Sequence, residues 1–85
     1  MPRNLSQLHK GEVAIVTNVG ESTVDEASSH LFRRLAELGF IPGETVRVLR
    51  KSFGGEPIAV RVGNSTFALR KYEADRIHVD VMQQQ

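Results

Sequence analysis

The chain has 85 residues, 40% of them hydrophobic and 25% charged, with eleven Lys and Arg against ten Asp and Glu. That is room for one small domain, and the near-neutral balance disfavours a dedicated nucleic-acid binder, which carries a stronger basic excess. With no Cys, disulfide scaffolds, iron–sulfur clusters, thiolate zinc sites and cysteine nucleophiles are excluded, so the fold must rest on packing. The opening Met1-Pro2-Arg3-Asn4 lacks the form of a signal peptide. No apolar run approaches the roughly 20 residues that span a bilayer. The sequence therefore reads as one soluble, cytoplasmic domain over residues 1–85, with frayed ends near 1–4 and 83–85.

Leu5 and Leu8 flank a polar step before Gly11, the pattern of a short helical turn leading into a strand. From Glu12 to Val19, Val13, Ile15, Thr17 and Val19 share one parity and Ala14 and Val16 the other, which predicts a strand ended by Gly20. Thr23-Val24-Asp25-Glu26 has the form of a capping box, and Ser28 is a second candidate helix start. Val24, Ala27, Leu31, Leu35 and Leu38 then fall on one helical stripe. Gly39 reads as a left-handed cap, with Phe40 placed to fold back on the last turn. Pro42-Gly43 suits the centre of a type II turn. Strands follow at Thr45–Lys51, Ile58–Val62, Thr66–Leu69 and Ile77–Met82. Phe53-Gly54-Gly55-Glu56-Pro57 and Gly63-Asn64 are turns, and Lys71–Arg76 holds one helical turn. Five short strands with one helix after the first predict a mainly-β fold, a small closed or half-closed barrel.

The run Arg34-Leu35-Ala36-Glu37-Leu38-Gly39-Phe40-Ile41-Pro42-Gly43-Glu44 resembles the helix-end signature of FeoA proteins, small cytoplasmic components of bacterial ferrous-iron uptake. Gly55-Glu56-Pro57-Ile58 resembles that family's turn before its middle strand. Ala68-Leu69-Arg70-Lys71-Tyr72-Glu73-Ala74 with Ile77-His78-Val79 resembles its closing segment. The resemblance spans about residues 5 to 81. It implies an SH3-like small barrel, a non-enzymatic accessory role, and a FeoB-type membrane transporter with a cytoplasmic GTP-binding domain as the partner. It supplies no catalytic residue, no metal-ligand set and no docking surface. Leu35, Leu38, Gly39, Phe40, Pro42, Gly43, Leu69 and Arg70 are taken from it as structural motif residues. Leu35, Leu38 and Phe40 also read simply as core, and Gly39, Pro42 and Gly43 as backbone geometry.

Signatures of catalysis are missing. The sequence has no G-x-x-x-x-G-K-[ST] phosphate loop, no G-x-G-x-x-G and no G-x-S-x-G elbow, so no enzyme and no required cofactor is expected. A metal site would have to use His, Asp and Glu. Glu26 and His30, at i and i+4, share a helix face and are the candidate for weak divalent binding. That site would serve the alternative of an Fe²⁺ sensor or carrier, and a solvated helical pair is the plainer account. His78 alternates with Ile77 and Val79 and is expected to face outward. Arg47 and Arg61 occupy polar positions of two strands expected to pair, which leaves a small-barrel nucleic-acid module as a weaker alternative. Glu residues interspersed with these bases and a shortage of outward aromatics argue against it, and no nucleic acid is expected.

Two segments are candidates for partner contact. Phe32 lies about 100° off the centre of the helical stripe, beside Arg33 and Ala36. Either this flank is an exposed interface of the aromatic-plus-Arg kind, or Phe32 completes the core under the loop after the first strand. The second is the Phe53-Gly54-Gly55 loop, where Phe53 precedes a flexible turn. An open barrel edge would also allow self-pairing into a homo-oligomer.

Overall fold

The computed structural model describes residues 2–20 and 26–82, less the side chains of Pro2 and residues 26–29. The strands are β1 (Pro2–Asn4), β2 (Val13–Val19), β3 (Thr45–Lys51), β4 (Ile58–Val62), β5 (Ser65–Leu69) and β6 (Ile77–Val81). The helices are α1 (Glu26–Leu38) and α2 (Lys71–Ala74), and 3-10 turns occupy Leu5–Gln7 and Phe53–Gly55. The six strands form one antiparallel sheet in the order β1-β6-β2-β3-β4-β5. Bulges between Val16 and Asn18 in β2 and between Val48 and Arg50 in β3 add local twist, which helps the sheet coil around one core. The result is the small, half-closed barrel expected, with one more strand.

The added strand is β1. The sequence predicts a frayed start at residues 1–4, yet Pro2, Arg3 and Asn4 pair with Asp80, Val79 and His78 of β6. Three residues that include a Pro carry no period-two signal, and the free edge of β6 supplies the ladder. In β2 the bulge decides which side chains face in. Ala14 and Val16 are buried and Ile15 and Thr17 exposed, but beyond the bulge Val19 is buried again. His78 is exposed between buried Ile77 and Val79, as strand alternation requires. Thr23, Val24 and Asp25 of the predicted capping box and stripe lie outside the described residues, as do the side chains of Glu26 and Ala27, while Ser28 does not start the helix, because α1 is already helical from Glu26.

The core gathers Leu5 and Leu8 from the first turn, Leu35 from α1, Phe40 after it, and the inward residues of β2, β3, β4, β5 and β6. Phe40 is its largest fully buried side chain, and its ring lies 6.2 Å from that of Phe67 at a tilt of 51°. The end of α1 puts it there. Gly39 takes φ +115°, which an L side chain rarely adopts. The Gly39 N–H donates to the Ala36 carbonyl at 3.1 Å and the Phe40 N–H to the Leu35 carbonyl at 3.0 Å. These two bonds are a Schellman closure, whose usual apolar contact is made here by two buried residues, Phe40 and Leu35. The following turn is the type II turn that Pro42-Gly43 predicts. Gly43 has φ +93°, and the Glu44 N–H donates to the Ile41 carbonyl at 3.0 Å. Bonds from Gly43 N–H to the Val16 carbonyl (2.7 Å) and from Val16 N–H to the Glu44 carbonyl (2.8 Å) fasten this turn to β2.

Among the described residues one charged side chain, Glu73 of α2, is buried, at 3% exposure. Its Oε1 accepts the Arg70 backbone N–H at 2.8 Å, and its Oε2 accepts Nη1 of Arg34 from α1 at 2.6 Å. The start of α2 is also capped by Glu56, whose Oε1 accepts the Lys71 N–H at 2.8 Å. The Ser6 hydroxyl donates to Asp75 Oδ1, and Lys51 Nζ donates to the Ser6 carbonyl at 3.0 Å, tying the first turn to β3 and to the segment after α2.

Candidate partner-docking surface

α1 presents three kinds of side chain. Leu35 is buried, Leu31, Phe32 and Leu38 are half-buried against the core, and Arg33 and Arg34 face solvent. Phe32 is thus neither fully exposed nor fully in the core. The Phe32 ring packs on the core, and its outer side, with Ala36, lines a small pocket of about 140 Å³. Asn18 and Val19 at the end of β2, and Phe40, Ile41 and Pro42 after α1, form the rest of the lining. The pocket is mainly apolar, and its floor is set by Phe40, which the Schellman closure fixes. Ile41, 47% exposed, stands at the rim on a turn hydrogen-bonded to β2. Arg33 is exposed on α1 next to Phe32 in sequence and does not line the pocket.

Ile41 is the residue that sequence reasoning passed over. The signal was present, because a large β-branched side chain directly before Pro-Gly has no part in turn geometry. The structure leaves this side chain at the surface. Among the motif residues, Leu69 is buried, Pro42, Gly43 and Arg70 are exposed, and Arg70 supplies the N–H that Glu73 holds.

The Phe53-Gly54-Gly55 loop is a separate surface. Phe53 is wholly exposed, at 105% of its reference area, and the Ser52 N–H to Pro57 carbonyl bond of 3.1 Å closes the loop behind it. The Ile41 turn precedes β3 and the Phe53 loop follows it. The seven residues of β3 separate them by roughly 20 Å, so the structure does not bring the two candidates together.

For metal, His30 is exposed, and the Glu26 side chain lies outside the described residues. Among the described residues no group of three or more His, Asp and Glu side chains is placed to hold an ion. None of the described helices is long and apolar enough to cross a membrane.

Comparison with known proteins places this geometry. The FeoA domain model matches residues 3–81. The crystal structure of Stenotrophomonas maltophilia FeoA complexed with zinc, described as an SH3 domain protein, is 44% identical. That match covers 92% of this chain and 89% of that one, with a TM-score of 0.80. The solution structure of iron(II) transport protein A from Clostridium thermocellum is 34% identical over 93% of this chain and 45% of that one, with a TM-score of 0.79. A curated relative, the Fe(2+) transport protein A/Fe(2+) transporter FeoB fusion protein of Porphyromonas gingivalis, is 28% identical over 78 residues. Those residues are 92% of this chain and span 8% of the fusion protein's length. With the domain matched almost end to end and the same SH3-like barrel in relatives named for ferrous iron transport, the chain belongs to the FeoA family.

Proposed function

We propose that this protein is a non-enzymatic accessory factor of ferrous-iron uptake that works in the cytoplasm by binding the GTP-binding domain of a FeoB-type transporter. The observation that carries this reading is the Porphyromonas gingivalis fusion, in which a segment similar to this chain shares one polypeptide with a FeoB transporter. Joining two modules raises their effective concentration to about the millimolar range, which is useful when the modules act on each other. Where the two modules are not joined, a surface must do by affinity what the fusion does by tethering.

The α1 flank offers such a surface. It has a preformed apolar pocket, a rigid rim residue in Ile41, and an exposed Arg33 on the same helix. Aromatic and apolar anchors near a pocket, bordered by Arg, are what interface centres favour. Modulation of the transporter further requires different affinities for two of its states, since equal binding to both shifts nothing. No cofactor takes part in this reading.

The test is a calorimetric titration of the transporter's cytoplasmic domain with the wild-type chain and with Ile41→Glu, Phe32→Ser and Phe53→Ala. Ile41→Glu changes a half-exposed turn residue and leaves the core intact, and it is expected to weaken binding about tenfold or more. Loss with Phe53→Ala alone moves the contact to the loop after β3. Wild-type protein that binds neither the cytoplasmic domain nor the full-length transporter refutes the reading.

A further inference from the structure

The outer face of the sheet carries a row of side chains running across four strands. Val13 lies opposite Arg47, Arg47 opposite Arg61, and Arg61 opposite Thr66. Arg47, Arg61 and Thr66 are all exposed. Like charges directly opposite each other disfavour strand pairing, so this pair works against the ladder that holds it. Among the described residues neither guanidinium has an ion-pair partner. Both line an open trough of about 640 Å³, which also holds Glu44. The Glu44 carboxylate accepts the Thr45 N–H at 3.3 Å and does not pair with either Arg.

The row ends at a free sheet edge. Among the described residues β5 pairs with β4 only. The two-residue turn Gly63-Asn64 makes Val62 and Ser65 a hydrogen-bonded pair, and Val60–Phe67 and Ile58–Leu69 follow in step. Thr66 and Ala68 therefore turn their N–H and C=O groups to the open side. Edge strands are usually protected by charge, Pro, a bulge or shortness. The opposite edge, β1, has three residues and includes Pro2 and Arg3. β5, Ser65-Thr66-Phe67-Ala68-Leu69, has neither charge nor Pro, and its pairing with β4 has no bulge.

We propose that β5 takes up an extended acidic segment of a partner protein as an added strand, with a carboxylate of that segment held by Arg61 and drawn by the charge of Arg47 behind it. An added strand lies about 4.8 Å outside β5 and roughly 10 Å from β4. Between them on this face stands Thr66, short enough for the long Arg61 side chain to reach across it. Two residues further along, the added strand meets Ala68 with Ala59 behind it, a place for an apolar side chain. The recognised pattern is thus a carboxylate with an apolar residue two positions away on the same face. Main-chain bonds supply affinity and the alternate side chains supply selectivity. A second copy of this chain fits less well, because its own β5 has no carboxylate and self-pairing would leave both Arg pairs without counter-charge. This proposal does not rest on the transporter reading, and its test uses no transporter.

The probe is a labelled, end-capped peptide Thr-Val-Thr-Glu-Thr-Val-Thr, in which a valine lies two positions from the glutamate on either side, with the same peptide carrying lysine in place of glutamate as its counterpart. Fluorescence anisotropy is expected to show the glutamate peptide binding the full chain at least about tenfold more tightly than the lysine peptide. Amide signals of Thr66 and Ala68 are expected to shift and to gain exchange protection. Arg47→Glu combined with Arg61→Glu should abolish the preference. Ala68→Pro removes an outward N–H and leaves the β4 bonds in place, a change an edge strand accepts, and it should remove binding. If Ala68→Pro does not fold, the amide protection and the charge reversals decide. Several results overturn the proposal: binding that survives Ala68→Pro in a folded protein, equal affinity for both peptides, or protection confined to residues outside β4 and β5. Concentration-dependent dimerisation that protects the same amides without peptide also overturns it, as does tighter Arg-dependent binding of a single-stranded oligonucleotide.

Discussion

Glu73→Ala removes the one buried charged side chain seen among the described residues, and its cost can be worked from two bonds. The first is the acceptor for the Arg70 N–H at 2.8 Å. Losing a side-chain cap of this kind costs about 1 kcal/mol. The second is the contact with Arg34 at 2.6 Å, where the Arg34 side chain is 60% exposed and the Glu73 side chain 4%. Solvent around Arg34 screens the pair, so about 1 kcal/mol applies in place of the 3–5 kcal/mol lost when a wholly buried pair is broken. The sum is about 2 kcal/mol. A domain of this size has a total stability of roughly 4–13 kcal/mol. At roughly 4–8 °C per kcal/mol, Tm should fall by about 8–16 °C. Thermal unfolding followed by circular dichroism measures this, and urea unfolding gives the free energy directly. Glu73→Gln keeps the shape and one acceptor oxygen and should fall between wild type and Ala. Combining Glu73→Ala with Arg34→Ala should reveal a coupling of about 1 kcal/mol. A Tm drop under about 3 °C for Glu73→Ala, or no coupling to Arg34, would show that this carboxylate does not hold the two helices together.

The two phenylalanines at positions 40 and 53 should behave in opposite ways. Phe40→Ala empties the centre of the core and should cost about 3–5 kcal/mol, enough to abolish cooperative thermal unfolding in so small a domain. Phe53→Ala changes a side chain that touches little and should leave the melting curve unchanged. Gly39→Ala tests the helix end. A methyl group there would sit 3.7 Å from Val62 Cγ1, an ordinary contact, so its cost comes from φ +115° alone. That strain amounts to about 1–3 kcal/mol and should appear as a lower urea midpoint with an unchanged m-value.

Much of the fold was legible because its determinants are local. Period-two stretches at Thr45–Lys51 and Ile58–Val62 became β3 and β4 with the same bounds, and the stretch Ile77–Met82 became β6 less its last residue. Gly39 and Pro42-Gly43 name their own backbone geometry, since few other residues take those angles. Phe40 followed from Gly39, because a Schellman closure sends the next apolar residue back onto the helix.

The candidate surfaces were less legible, since exposure depends on what lies across the chain. Phe32 is half in the core and half in a pocket because Val19 and Pro42 arrive beside it. The helical angle of Phe32 could not say so. Arg34 reads in sequence as one more solvated base, and it holds a carboxylate 39 residues away.

The near-neutral, Cys-free composition determined by itself that this is a packed domain without thiolate chemistry. It said nothing of where the few charges meet. Eleven bases and ten acids nearly cancel in sum, yet strand register sets Arg47 against Arg61 with no acid between them. That pairing, the free edge of β5, the β1 strand and the parity change in β2 were decided by tertiary structure alone. Each depends on which strands lie side by side, and hydrogen bonding between distant segments is a property no local stretch of sequence carries.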